Sequence, residues 1–212
     1  MTDHEPIPAA GTGAELFDEP SLFYLTNRSL IEEWYSLRDS VAECLHEWFE
    51  TVVFEALRTP AADRGLEVSE AKGPSGYYHL ILHPPDATIQ HGKPAIGAGF
   101  AWSSDELQLE ADAVFSCVRR SRTPTGKLAS DAFREAGGSK IRLQLQAEGR
   151  DTEAWPIWRW TRAESPTWWT DLDAYCAKIV ADVVELVDAC REPLEAAWRV
   201  PIVGDSIDED ET

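Results

Sequence analysis

The side chains that could do chemistry come first, and each has a plain alternative. His79 and His83 stand four residues apart in a stretch, Tyr77–His83, that alternates like a strand, so both fall on one face. At the usual strand rise they are about 13 Å apart, too far for one metal ion, and they read as surface or core histidines. Glu110 and Asp112 also share a strand face, about 7 Å apart. Such a pair is ordinarily a solvated sheet face, and in its functional version a negative patch offered to a basic partner. Gly73-Pro74-Ser75-Gly76 fails as a nucleophile elbow, which needs glycine where Tyr77 stands and a strand before it. Gly11-Thr12-Gly13 is too short for a dinucleotide loop. The four cysteines (Cys44, Cys117, Cys176, Cys190) form no Cys-x-x-Cys pair or Cys/His cluster, so they read as buried thiols in a reducing compartment. No catalytic residue, metal ligand or cofactor is assigned.

Tryptophan carries the other signal. Trp155, Trp158, Trp160, Trp168 and Trp169 crowd one segment, and Trp158 and Trp160 share a strand face. Rings of this size normally belong to the core. On an open sheet face the same pair would be interface anchors, since Trp dominates binding hot spots.

A formal charge of −19 over 212 residues repels phosphate backbones and anionic membrane surfaces, so direct nucleic-acid binding is disfavoured. The same charge favours a basic protein partner. A hydrophobic content of 43% and nine Trp are ample for a core. No apolar run approaches the ~20 residues of a membrane span, and the N-terminus has neither the basic region nor the apolar run of a signal peptide, so the expected location is the cytoplasm.

The elements that must position these residues follow from periodicity. Residues 1–20 read as a flexible acidic arm, 21–200 as a single domain and 201–212 as a disordered acidic tail. Leu30, Trp34, Leu37, Val41, Leu45, Trp48 and Val52 recur at steps of three and four, which predicts a helix lying on a sheet and ending at Thr59-Pro60. The same seam could serve as a homodimer or partner-helix interface. Residues 59–76 read as a loop. Strands are predicted over Tyr77–His83, Ala95–Ser103, Leu107–Cys117, Lys140–Ala147 and Trp155–Thr161. The third has apolar odd positions facing a core and polar even positions facing water. A short helix is expected over Lys127–Ala136, stopped by Gly137-Gly138, and a long amphipathic helix from Thr167 or Thr170 to Cys190. The fold class is α+β: a five-stranded, mainly antiparallel sheet covered by two long amphipathic helices, in the order α-β-β-β-α-β-β-α.

The opening order (helix, three strands, helix, strand) resembles the core of restriction-endonuclease-like nucleases, which implies acidic residues converging on Mg²⁺. Asp86, after Pro85, with Glu110 and Asp112 would be the candidates. The third strand lacks the lysine that the family places there, and Glu70-Ala71-Lys72 is expected before the first strand. The full order also resembles small acidic secretion chaperones, which implies a dimeric binding role. The leading expectation is a non-enzymatic acidic interaction module, an inhibitor, antitoxin or immunity-type factor, or chaperone-like adaptor. It would bind a basic partner through Glu110, Asp112, Trp158 and Trp160. The alternative is a metal-dependent nuclease domain, active or degenerate.

Overall fold

The computed structural model describes residues 18–72, 77–87, 89–90, 93–103, 105, 107, 114–150, 153–164 and 167–203. The chain forms two compact units, one ending at Val41 and the other beginning at Ala42. Helix α1 runs from Glu19 to Trp48, passes into a π-helical turn at Phe49–Val53 and continues as α2 (Phe54–Ala62).

Five antiparallel strands make the sheet of the second unit: β1 (Glu67–Lys72), β2 (Tyr77–His83), β5 (Ile96–Ser103), β6 (Val114–Arg120) and β7 (Ile157–Trp160), ordered β1-β2-β5-β6-β7. Between β2 and β5, β3 (Ile89–Gln90) and β4 (Lys93–Pro94) pair as a separate two-stranded ladder. Helices α3 (Pro124–Glu135) and α4 (Gly138–Gln144) precede β7, and α5 (Leu172–Ala189) and α6 (Arg191–Trp198) follow it. The α+β class and the antiparallel five-stranded sheet are those expected from periodicity.

One face of this sheet packs against helices. Leu80, Leu82, Phe100, Trp102, Val114 and Val118 meet Phe49, Val53 and Leu57, and the apolar side of α5 (Ile179, Val183, Leu186, Val187) completes the cluster. The buried positions of the first helical stretch are Ala42, Leu45, Phe49, Val53, Leu57 and Ala61, spaced mostly by four. At 100° per residue each step of four overshoots a full turn by about 40°. The wider π turn at Phe49–Val53 takes back part of that drift, so Val53 is buried and the expected Val52 is not. Leu30, Trp34, Leu37 and Val41, expected to cover the sheet, are exposed.

Four other differences follow. Helix α2 passes Pro60 and ends two residues later, where Gly65 takes φ +68°. Leu66 N–H then donates to Ala61 O, and Gly65 N–H to Ala62 O, the paired bonds of a glycine-closed C-terminus. Residues Lys140–Ala147 do not form a strand: Gly137 at φ +102° ends α3, and α4 begins at once. Ile141 and Leu145, four apart, pack against the core while Leu143 is 75% exposed, so the alternation there was a helical spacing. The fifth strand is instead β1, inside the expected 59–76 loop. The cap of α5 is Asp171, whose carboxylate accepts from Ala174 N at 3.0 Å, after a 3₁₀ turn at Trp168–Thr170.

Strand β6 is buried on both faces. Val114 and Val118 face the helices, whereas Phe115 and Cys117, the odd positions expected to face the core, join Ala101 in a second cluster with Tyr77, Trp155 and Trp158. Leu107, expected to open this strand, is instead helical and buried in the helix-side core, and residues 108–113 lie outside the described residues. Three cysteines are buried, and burial pushes the Cys117 and Cys190 thiols up to about 12. Cys44 is exposed.

Candidate functional site

Of the four expected partner-binding residues, Trp158 and Trp160 are described. Glu110 and Asp112 lie outside the described residues, as do most of the expected arm and acidic tail. Strand β7 alternates strictly. Ile157 is in the helix-side core, and Arg159 points the same way: its guanidinium donates to Ser116 Oγ at 3.4 Å and Asp182 O at 3.3 Å and pairs with the Glu185 carboxylate. That tie clamps β7 to α5. Period two then turns Trp158 and Trp160 to the opposite face of the sheet.

There the two indoles meet edge to face, with centroids 5.6 Å apart and planes at 89°. Phe115 lies under both, 5.7 Å from Trp158 and 5.9 Å from Trp160. Phe115 is itself braced by Trp155 at 5.4 Å, which packs edge-on to Tyr77 at 4.8 Å. These tilted contacts suit the ring quadrupoles. Trp160 is 39% exposed and Trp158 is half-buried, and the Arg162 guanidinium lies over the Trp160 ring at 4.9 Å. The backbone of Trp158 is bridged on its outer edge by Glu148, N–H to O in both directions (2.8 and 2.9 Å). An aromatic pair fixed from below and left part-exposed can receive an apolar group without first ordering its own side chains.

The three histidines among the described residues serve structure; His4 and His91 lie outside them. His83 is buried, with Nδ1 2.9 Å from Pro84 O and Nε2 3.0 Å from Ser69 Oγ. His79 is buried 6.1 Å from the Trp155 ring. His46, on α1, accepts the indole N–H of buried Trp102 at 2.9 Å. Among the described residues no group of three His, Cys, Asp or Glu could hold a metal ion. Asp86 is exposed in the turn after β2, and Glu70-Ala71-Lys72, expected before the first strand, is part of edge strand β1. Of the four cations between residues 119 and 127, two turn inward. Arg119 and Arg120 are buried, which lowers the pKa of both guanidinium groups, and Arg120 donates to Glu153 O and Ser121 O.

Sequence reasoning missed Phe115 as the base of the tryptophan pair, Arg159 as its clamp and Arg162 as its cationic neighbour. The Arg162–Trp160 spacing of two was visible in the sequence. The Arg159 partners, 23 and 26 residues downstream, carried no signal. No helix among the described residues is long and apolar enough to cross a membrane. Compared with protein families, characterised proteins and solved structures, the chain matches none.

Proposed function

We propose that this chain is a non-enzymatic acidic interaction module, an inhibitor, antitoxin or immunity-type factor, or chaperone-like adaptor, that binds a basic protein. The observation that carries the reading is the half-open Trp158–Trp160 pair, held rigid by Phe115 and Arg159 on the sheet face away from the helices. Tryptophans in such settings supply affinity, while a chain charge of −19 steers a basic partner and suppresses acidic ones. Glu110 and Asp112 are proposed to add to the attraction. The cytoplasm, where the thiols stay reduced, is the proposed setting.

The test is affinity capture of the tagged chain from its own cells at low and high salt, repeated with Trp160→Ala. One stoichiometric basic partner, released as salt rises and held at least about tenfold more weakly by the variant, is the expected result. No captured protein at either salt, or a partner indifferent to Trp160→Ala, defeats the reading.

A further inference from the structure

Between Glu19 and Val41 helix α1 buries no side chain, and its first buried residue is Ala42. Helices in proteins owe most of their stability to burying an apolar face, and this stretch lacks that cover. Its apolar face follows a heptad. Phe23, Leu30 and Leu37 recur every seven residues, and Asn27, Trp34 and Val41 do so four residues further on. Together they give the four-three spacing of a coiled-coil seam, the first set at d positions and the second at a. The five apolar members are between 45% and 65% exposed.

The flanks of the seam complete one another. Glu32 and Asp39 fall at f, on the far side of the helix, and Arg28, which pairs with Glu32 at 3.1 Å, falls at b. The charges that border the seam are Glu19 and Glu33 at g and Arg38 at e. Among the described residues neither Glu33 nor Arg38 forms an ion pair. Arg38 lies over the Tyr35 ring at 4.2 Å, and its Nε has no hydrogen-bond partner. Five residues apart, Glu33 and Arg38 sit on opposite flanks of one helix and do not face each other. Five is also the spacing at which a g residue meets the e residue of a parallel partner helix. In a parallel, in-register pair, Glu33 of each copy therefore faces Arg38 of the other, and the two-fold axis makes the contact twice. The other g–e pairs of this span, Glu19 with Tyr24 and Thr26 with Ile31, set no like charges together. An antiparallel pair would match g with g and e with e, leaving Arg38 without a carboxylate. Asn27, the one polar residue of the seam, points the same way. Its amide donates to Phe23 O at 2.9 Å and keeps a second N–H and its oxygen for the Asn27 of a parallel copy. Opposite an apolar d residue, those groups would be buried without a partner.

We infer that α1, from Glu19 to Val41, pairs with the same helix of a second copy as a parallel two-stranded coiled coil of about three heptads, Asn27 opposite Asn27 and Glu33 opposite Arg38. The charge of −19 on each chain opposes the approach of two copies at long range, and ordinary ionic strength screens most of that repulsion. The inference goes beyond the reading of the chain as a binder of basic proteins and does not rest on it. No seam residue belongs to the Trp158–Trp160 pair, and the coil needs no third molecule.

The full chain is followed by sedimentation equilibrium from about 1 to 100 μM at ~0.15 M salt, with reductant present so that the exposed Cys44 forms no disulfide. A reversible monomer–dimer equilibrium is expected. Trp34→Glu with Leu37→Glu, both at exposed positions, is expected to weaken it at least about tenfold, and Trp160→Ala to leave it unchanged. Glu33→Arg alone, or Arg38→Glu alone, sets two like-charge pairs across the coil and is expected to weaken association about fivefold or more. Chains carrying both reversals, and an equimolar mixture of the two single variants, restore opposite charges and are expected to regain the native affinity. A chain that stays monomeric over this range, or a dimer indifferent to the Trp34 and Leu37 changes, overturns the inference. So does a dimer dissolved by Trp160→Ala, because the interface then lies elsewhere. A loss on each single reversal that neither the double reversal nor the mixture repairs overturns it too, because the helices then do not meet in parallel register. The two proposals fail separately. Cellular capture with no basic partner sinks the functional reading and leaves the dimer standing, whereas a monomeric chain that still holds a basic partner through Trp160 does the reverse.

Discussion

The two faces of the sheet differ in what their side chains are asked to do. On the helix side, Phe49, Phe100 and Trp102 pack at 5.1 to 5.3 Å between centroids, deep in a layer of Leu, Val and Ile. On the other side a small aromatic cluster rests on Ala101, Phe115 and Cys117 and rises to a ring that is 39% exposed. Both faces use aromatic rings at similar spacings. Burial, rather than ring chemistry, separates a core from a contact surface, and the clamp that turns the tryptophans outward is itself rooted in the helix side through Arg159.

The contrast can be broken most decisively at Phe100. Phe100→Ala should cost about 3–5 kcal/mol in urea unfolding, because a fully buried ring leaves a cavity between the sheet and the helices that the packing cannot fully close. A loss below about 1 kcal/mol would mean that the helix-covered face is not the main core. Next comes His46→Ala, which leaves the indole N–H of Trp102 buried without its acceptor and should cost about 1–3 kcal/mol. Trp102→Phe should cost less in the His46→Ala background than in the native chain, since the donor it removes is already orphaned there. Trp160→Ala, on the open face, should change stability by less than about 1 kcal/mol. A larger loss would recast Trp160 as core and weaken its assignment as an anchor.

The smallest effect expected is at the Arg64–Asp188 pair, which ties the turn after α2 to the end of α5 with two bonds of 2.7 Å. The hydrogen bonds from Arg64 hold the Asp188 carboxyl below the usual range. A depressed folded-state pKa stabilises above the unfolded value and is lost as pH falls through the folded one. The contribution should therefore be full at neutral pH and fade in acid, below the ordinary carboxylate range. Asp188 is more than half exposed, so Asp188→Asn should cost about 0.5 kcal/mol at pH 7 and nothing measurable once the carboxyl is protonated. An undiminished effect in acid would show that the pair acts through packing.

Much of this architecture was legible from period alone. Strand β2 and helix α5 each carry a core set that alternates or steps by three and four as read, and β5 lies within the bounds expected of it. Strand β1 was invisible because only Val68 of its six residues is a large apolar side chain, and its glutamates suit an edge strand exposed to water. Helix α4 was misread because Ile141, Leu143 and Leu145 satisfy a period of two as well as an i, i+4 pair. The first helix shows a subtler limit. Two apolar seams run along it, and sequence alone does not say which meets the core. The buried one, through Phe49 and Val53, depends on a π turn that no residue type announces. At the candidate site, the shared face of Trp158 and Trp160 was readable from their spacing, whereas their bracing by Phe115 required knowing that β6 pairs with β7.

The exposure of Cys44 has a practical consequence for every measurement of assembly. The other three thiols are shielded, two of them with little thiolate at neutral pH, so air oxidation has a single accessible sulfur to act on. A disulfide joining Cys44 of two molecules would produce a covalent pair owing nothing to any docking surface. Size measurements made without reductant would record that chemistry as quaternary structure. The same solitary thiol gives a place to attach a dye or spin label on the native chain, with no substitution needed.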